Sequence, residues 1–109
     1  MVPVKGDHIA VLYATGEIQE NSRTGIDCYK LVPVICELAD DDDVQGLVLR
    51  VNSPGGSVFG SQQISDALSY FQSKGKPVVV SMGDYAASGG YWISCESDYI
   101  FADPLTITG

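Results

Sequence analysis

Apolar residues along this chain fall into short dense runs, separated by stretches with helical spacing. Residues 8–14 (HIAVLYA) are apolar on both alternating faces, the pattern of a strand buried on both sides. Residues 46–51 (GLVLRV), 77–82 (PVVVSM) and 98–102 (DYIFA) repeat that character. Between them the period changes. Ile64, Ala67, Leu68 and Phe71 recur at three and four residues within a helix predicted over 59–74. Val32, Ile35, Leu38 and Ala39 do the same in a shorter helix, with Pro33 expected in its first turn. Strands alternating with helices predict a mostly parallel α/β sheet. Residues 17–25 (EIQENSRTG) are polar and read as a mobile excursion. No internal repeat and no linker divides the chain, so residues 1–109 are taken as a single module.

In such sheets a ligand site forms beyond the carboxyl ends of the strands. Two loops occupy that position: 52–57 (NSPGGS) after the second strand, and 83–88 (GDYAAS) after the third. Both are rich in residues that let backbone approach backbone. Ala86-Ala87-Ser88-Gly89-Gly90 is a near relative of the G-x-S-x-G turn that lifts a serine hydroxyl off a strand end. If Ser88 opens a helix running through Tyr91, Trp92 and Cys95, the Gly89 amide points into the same space as the hydroxyl. A helix start also favours developing negative charge. The Gly55-Gly56 pair offers a second amide, so the loops together could supply a nucleophile and a two-donor oxyanion hole.

Each motif alone has a plainer meaning. A serine before Gly-Gly is often a helix N-cap, and Pro-Gly-Gly is a common turn. Ser57 reads as the cap of the helix from Phe59, and Ser53 as a turn residue before proline. A serine nucleophile also needs a base. The only histidine, His8, starts the first strand, at the wrong edge of the sheet for a Ser-His-Asp triad. Lys74 and Lys76 read as a solvated helix end, and neither Lys5 nor Lys30 has a placement that reaches Ser88. No base is visible.

Composition narrows the field. A formal charge of −8 repels phosphate backbones and anionic headgroups, which argues against nucleic-acid binding. Asp40 to Asp43 concentrate four of the fourteen acidic residues. Consecutive aspartates point in different directions, so this run reads as a solvated helix-to-strand turn and not as a metal site. Cys28, Cys36 and Cys95 are odd in number and fit no C-x-x-C spacing, so they read as buried thiols. The opening MVPVKGDH has no apolar stretch like that of a secretory leader. No run approaches the roughly 20 apolar residues of a membrane-spanning helix, and the chain is expected to be soluble as it stands.

Taken together, LRVNSPGGSV (49–58), GKPVVVSM (75–82), AASGGYWIS (86–94), ADP (102–104) and LTITG (105–109) resemble the signal peptide peptidase, or protease IV, family of bacterial membrane-associated Ser/Lys peptidases. The resemblance runs from Asp7 onward, and residues 7–18 look most like the start of the second half of the tandem form. It implies a crotonase/Clp-protease-like fold with ββα repeats, present here as a truncated module. It also implies Ser88 as nucleophile, Gly56 and Gly89 as oxyanion-hole donors, and no metal or cofactor. The family base is a lysine whose amine must be neutral, and the resemblance puts it on another part of the polypeptide, outside residues 1–109. The chain is therefore expected to be a fragment, inactive alone and prone to self-association. By resemblance the parent protein cleaves remnant signal peptides as a homo-oligomer, at the outer side of the bacterial inner membrane. Two alternatives stay open: a catalytically dead assembly or binding module, and an acyl-CoA-processing crotonase relative, which would need no nucleophile at Ser88.

Overall fold

The computed structural model describes residues 5–109; the reading of the opening as leaderless falls partly on residues 1–4, which lie outside the described part. β1 (His8–Thr15) passes through two short strands, β2 (Ile18–Gln19) and β3 (Ile26–Asp27), into α1 (Cys28–Asp40). β4 (Val44–Ser53), α2 (Val58–Ser73), β5 (Val78–Ala86) and α3 (Gly89–Ser94) follow, and β6 (Tyr99–Phe101) and β7 (Ile107–Thr108) complete the order. The main sheet is parallel in the order β1-β4-β5-β6, and β7 pairs with the far end of β5.

The helices have legible causes. Asp27 caps α1, its carboxylate accepting from the Tyr29 amide at 2.9 Å. Ser57 caps α2 by accepting from the Gly60 amide at 2.9 Å, as expected. Gly75, at φ +76°, ends α2 in the left-handed conformation that a residue with a β-carbon resists. Along α2 the apolar spacing brings Ile64, Ala67, Leu68 and Phe71 to one buried face. Phe71 has no accessible surface, which is worth about 2–3 kcal/mol of apolar burial.

The order of the strands explains the layers. Each crossover steps to the next strand in the same direction, and right-handed crossovers that never reverse keep their helices on one face. Leu12, Leu49 and Val80 lie in register on that face, and Leu49 and Val80 join Ile35, Ile64, Phe71 and Ile93 in one core with Leu12 packed against it. The opposite face, with Val11, Val48, Val79 and Tyr99 in one row, carries no helix among the described residues. Burial of β1 on both sides is therefore corrected: Ile9, Val11 and Tyr13 are exposed, Tyr13 at 73%. The strand sits at the sheet edge with one uncovered face.

Three further expectations change. α1 begins at Cys28, so Pro33 is inside the helix and not in its first turn. It is tolerated on the exposed side, where its missing N–H leaves only one helical bond unmade. Residues 17–25 are not a loose excursion, because Ile18 is fully buried and its segment pairs with β3 and with Gly56. Of the cysteines only Cys28 is buried; Cys36 is half-buried and Cys95 exposed. Asp41 to Asp43 form the turn between α1 and β4, with Asp40 the last residue of the helix.

Candidate active site

Both loops singled out in the sequence lie at the carboxyl ends of adjacent parallel strands, where Ser53 of β4 pairs with Ala86 of β5. They touch through glycine. A β-carbon on Gly55 would stand 2.8 Å from Ser88 Cβ and 2.9 Å from the Gly89 nitrogen, and Gly55 itself has φ +109°. Only glycine lets the two turns meet this closely.

Ser88 occupies the turn between β5 and α3 at φ 52°, ψ −118°, a conformation that L-residues rarely hold. Main-chain bonds on both sides fix it there: its amide donates to the Gly109 carbonyl at 2.6 Å and its carbonyl accepts from Trp92 at 2.9 Å. The side chain is exposed and makes no capping bond to α3. The simple N-cap reading therefore fails for Ser88, whose hydroxyl has no hydrogen-bond partner among the described residues.

The neighbouring amides divide into used and free. Gly55 donates to Ser53 Oγ at 3.1 Å. The Gly55 carbonyl accepts from Ile18 at 2.9 Å, and the Ile18 carbonyl accepts from Ser57 at 2.7 Å. Gly56, held between these bonds at φ +146°, and Gly89, at the start of α3, donate to no protein group among the described residues. Ile18 locks the turn from the other side: a β-carbon on Gly89 would lie 3.2 Å from its Cδ1, and one on Gly60 would lie 3.0 Å from its Cγ2.

None of the basic residues engages Ser88 Oγ. His8 pairs with Val44 at the amino end of β4, the edge opposite the loops. Lys76 Nζ donates to the Leu38, Ala39 and Asp41 carbonyls at 3.3, 2.7 and 2.7 Å, closing the end of α1 and not of its own helix. Lys74 lies 3.7 Å from Asp40. The Tyr70 hydroxyl and, to a lesser degree, Asp40 push its amine above the ordinary lysine value, opposite to what a general base requires. A hollow of about 510 Å³ opens on the uncovered sheet face beside Arg50, Asp84 and Phe101, and Ser88 is not in its wall.

Sequence reasoning placed Asn52 and Ser53 in the first site loop without finding what they do there, and it missed Ile18. Asn52 Oδ1 accepts from the Tyr85 amide at 3.1 Å, tying the two loops at their roots. The available signal for Ser53 was its spacing, since a serine two residues before a glycine can accept from that glycine's amide.

Comparisons with known proteins bear on the fold and on the family. The fold is shared with a mutant of the 1510-N membrane-bound stomatin-specific protease, at a TM-score of 0.71 and 20% identity over 97% of this chain and 48% of that one. This is an α/β fold of the crotonase/Clp-protease type. Residues 70–109 match the family described as peptidase family S49. The chain is 60% identical to Protease 4 of Haemophilus influenzae over 94 residues, 86% of this chain and 15% of that protein. It is 47% identical to Protease 4 of Salmonella typhi over 106 residues, covering 95% of this chain and 17% of that protein. A putative signal peptide peptidase SppA of Enterococcus faecium is 35% identical over 91% of this chain, which spans 29% of that protein. The chain is thus similar to peptidase family S49 over residues 70–109, and it spans less than a third of the length of these relatives.

Proposed function

We propose that this chain carries the nucleophile of a serine endopeptidase of the Ser/Lys type, with Ser88 as nucleophile and the Gly56 and Gly89 amides as oxyanion hole. The observation that carries the reading is the exposed, unbonded hydroxyl of Ser88, held in strained backbone beside two unoccupied glycine amides. Ser88 Oγ attacks the scissile carbonyl while its proton passes to a neutral lysine contributed by another part of the polypeptide. The carbonyl oxygen becomes an oxyanion and takes hydrogen bonds from Gly56 and Gly89. Collapse of this intermediate breaks the C–N bond, and the amine leaves with the proton from the lysine. Water then cleaves the ester on Ser88 with the same lysine as base.

Signal peptides are the substrate class that the name of the Enterococcus faecium relative supports, and remnant signal peptides are the form proposed here. The reading places the parent protein at the bacterial membrane as a homo-oligomer. In this chain no described helix is long and apolar enough to cross a membrane. The lack of a base at Ser88 among the described residues favours a second reading, an inert binding module.

The discriminating experiment is intact-mass analysis after exposure to a fluorophosphonate, on this chain and on the full-length polypeptide, each beside Ser88→Ala. Labelling of full length alone, abolished by the substitution, is expected. A full-length protein that stays unlabelled where a known Ser/Lys peptidase reacts would favour the inert module.

A further inference from the structure

We propose that Ser53 is a positioning residue, which determines that Gly56 rather than Gly55 presents its amide to the reacting carbonyl. The inference rests on the peptidase reading and concerns how its oxyanion hole is built.

Ser53 is the last residue of β4 and has no accessible surface, so it cannot itself meet a substrate. It is bonded to both loops at once. Its hydroxyl oxygen accepts from the Gly55 amide at 3.1 Å, and its carbonyl accepts from the Ala87 amide, next to Ser88, at 3.0 Å. α3 packs directly on it: a β-carbon on Gly90 would stand 2.6 Å from the Ser53 carbonyl oxygen.

Consecutive glycines at φ +109° and +146° form a turn with little side-chain restraint on its peptide planes. Without a partner for Gly55, the peptide planes can rotate and either amide can face the site. The Ser53 hydroxyl consumes one of the two, while the Ile18 bonds to the Gly55 carbonyl and the Ser57 amide hold the chain on either side. The Gly56 amide remains, fixed before substrate arrives. A donor that does not reorganise during the reaction is what makes an oxyanion hole effective. Removing the hydroxyl leaves the buried Gly55 amide unsatisfied, and the turn relieves that by rotating away from its catalytic setting.

The test compares wild type, Ser53→Ala and Ser53→Cys in the full-length polypeptide. The cysteine variant nearly conserves volume but offers a poor acceptor, so it reports on the hydrogen bond if the alanine variant fails to fold. Three quantities are measured: kcat and KM on a peptide substrate, inhibition by a peptide aldehyde whose hemiacetal oxygen occupies the oxyanion position, and binding of the matching non-covalent peptide amide. We expect kcat to fall roughly 10- to 100-fold with KM changed less than about twofold, somewhat less than outright loss of an oxyanion donor. Aldehyde affinity should fall in parallel while amide affinity holds. A folded variant with wild-type kcat, or equal loss for aldehyde and amide, overturns the proposal. A wild-type protein that shows neither turnover nor fluorophosphonate labelling overturns the serine reading itself, a distinguishable failure.

Discussion

Two serines only 35 positions apart in a small sheet have opposite duties because their surroundings differ. Ser53 is sealed and bonded, whereas Ser88 is exposed and unbonded. The backbone of Ser88 pays for that exposure with a positive φ, a strain of about 1–3 kcal/mol. Glycine would adopt the same angles freely. Ser88→Gly should therefore raise stability by about 1 kcal/mol after allowance for glycine's greater freedom when unfolded, whereas Ser88→Ala should stay near wild type. Thermal unfolding of the three proteins decides this, at roughly 4–8 °C per kcal/mol for a domain of this size. Equal melting of the glycine and alanine variants would show that the angle costs nothing. At this scale the sequence indicated that the turns at Gly55 and Ser88 approach each other, because small residues after a strand leave few geometries. It was uninformative about Ser53, because a serine before proline is common and its burial depends on α3 closing over it from 37 residues away.

Among the elements, the junction of β5 and β6 is secured by one carboxylate. Asp98, just before β6, accepts from the amide of Val78, the first residue of β5, at 2.7 Å, and from Gln72 Nε2 at 3.2 Å. The Val78 bond first, and the Gln72 bond after it, hold this carboxyl below the ordinary carboxylate value of 3.8. A carboxyl that ionises more readily in the folded chain adds stability that is complete above the unfolded value. That increment fades as pH falls through the lower folded one. Wild type should consequently lose stability more steeply than Asp98→Asn below about pH 4, seen in urea titrations at stepwise pH. Because Asp98 is exposed the increment is small, and parallel curves for the two proteins would remove it. The elements themselves were mostly legible, since dense apolar runs and stretches of period 3.6 alternate from residue 44 to residue 86. β2 was not. A two-residue strand has no period, and the single apolar Ile18 among polar neighbours acquires its meaning from residues as distant as Gly56, 38 positions on.

For the molecule as a whole, the one-directional winding matters most. It gathers the core beneath three helices and leaves Val11, Tyr13, Tyr99 and Phe101 open on the other face, the last two at 65% and 64% exposure. A patch of that kind on a small protein favours association. Sedimentation velocity should show this chain self-associating with rising concentration despite its charge of −8, and Val11→Lys with Tyr99→Lys should shift it toward monomer. A wild-type chain monomeric throughout would rule out that face as a self-association surface. The sequence could not have disclosed the asymmetry. Apolar residues on both sides of β1 record a preference for burial, and whether anything lies over them is decided by the direction of winding. The same winding also ranks the strands by how readily they come apart. β4 and β5 have a ladder on each side and helices overhead, whereas β1 is bonded along one edge and sheltered on one face. β6, three residues long, bonded to β5 alone and exposed throughout, is looser still, so unravelling starts at the two edges of the sheet and reaches the central pair β4 and β5 last.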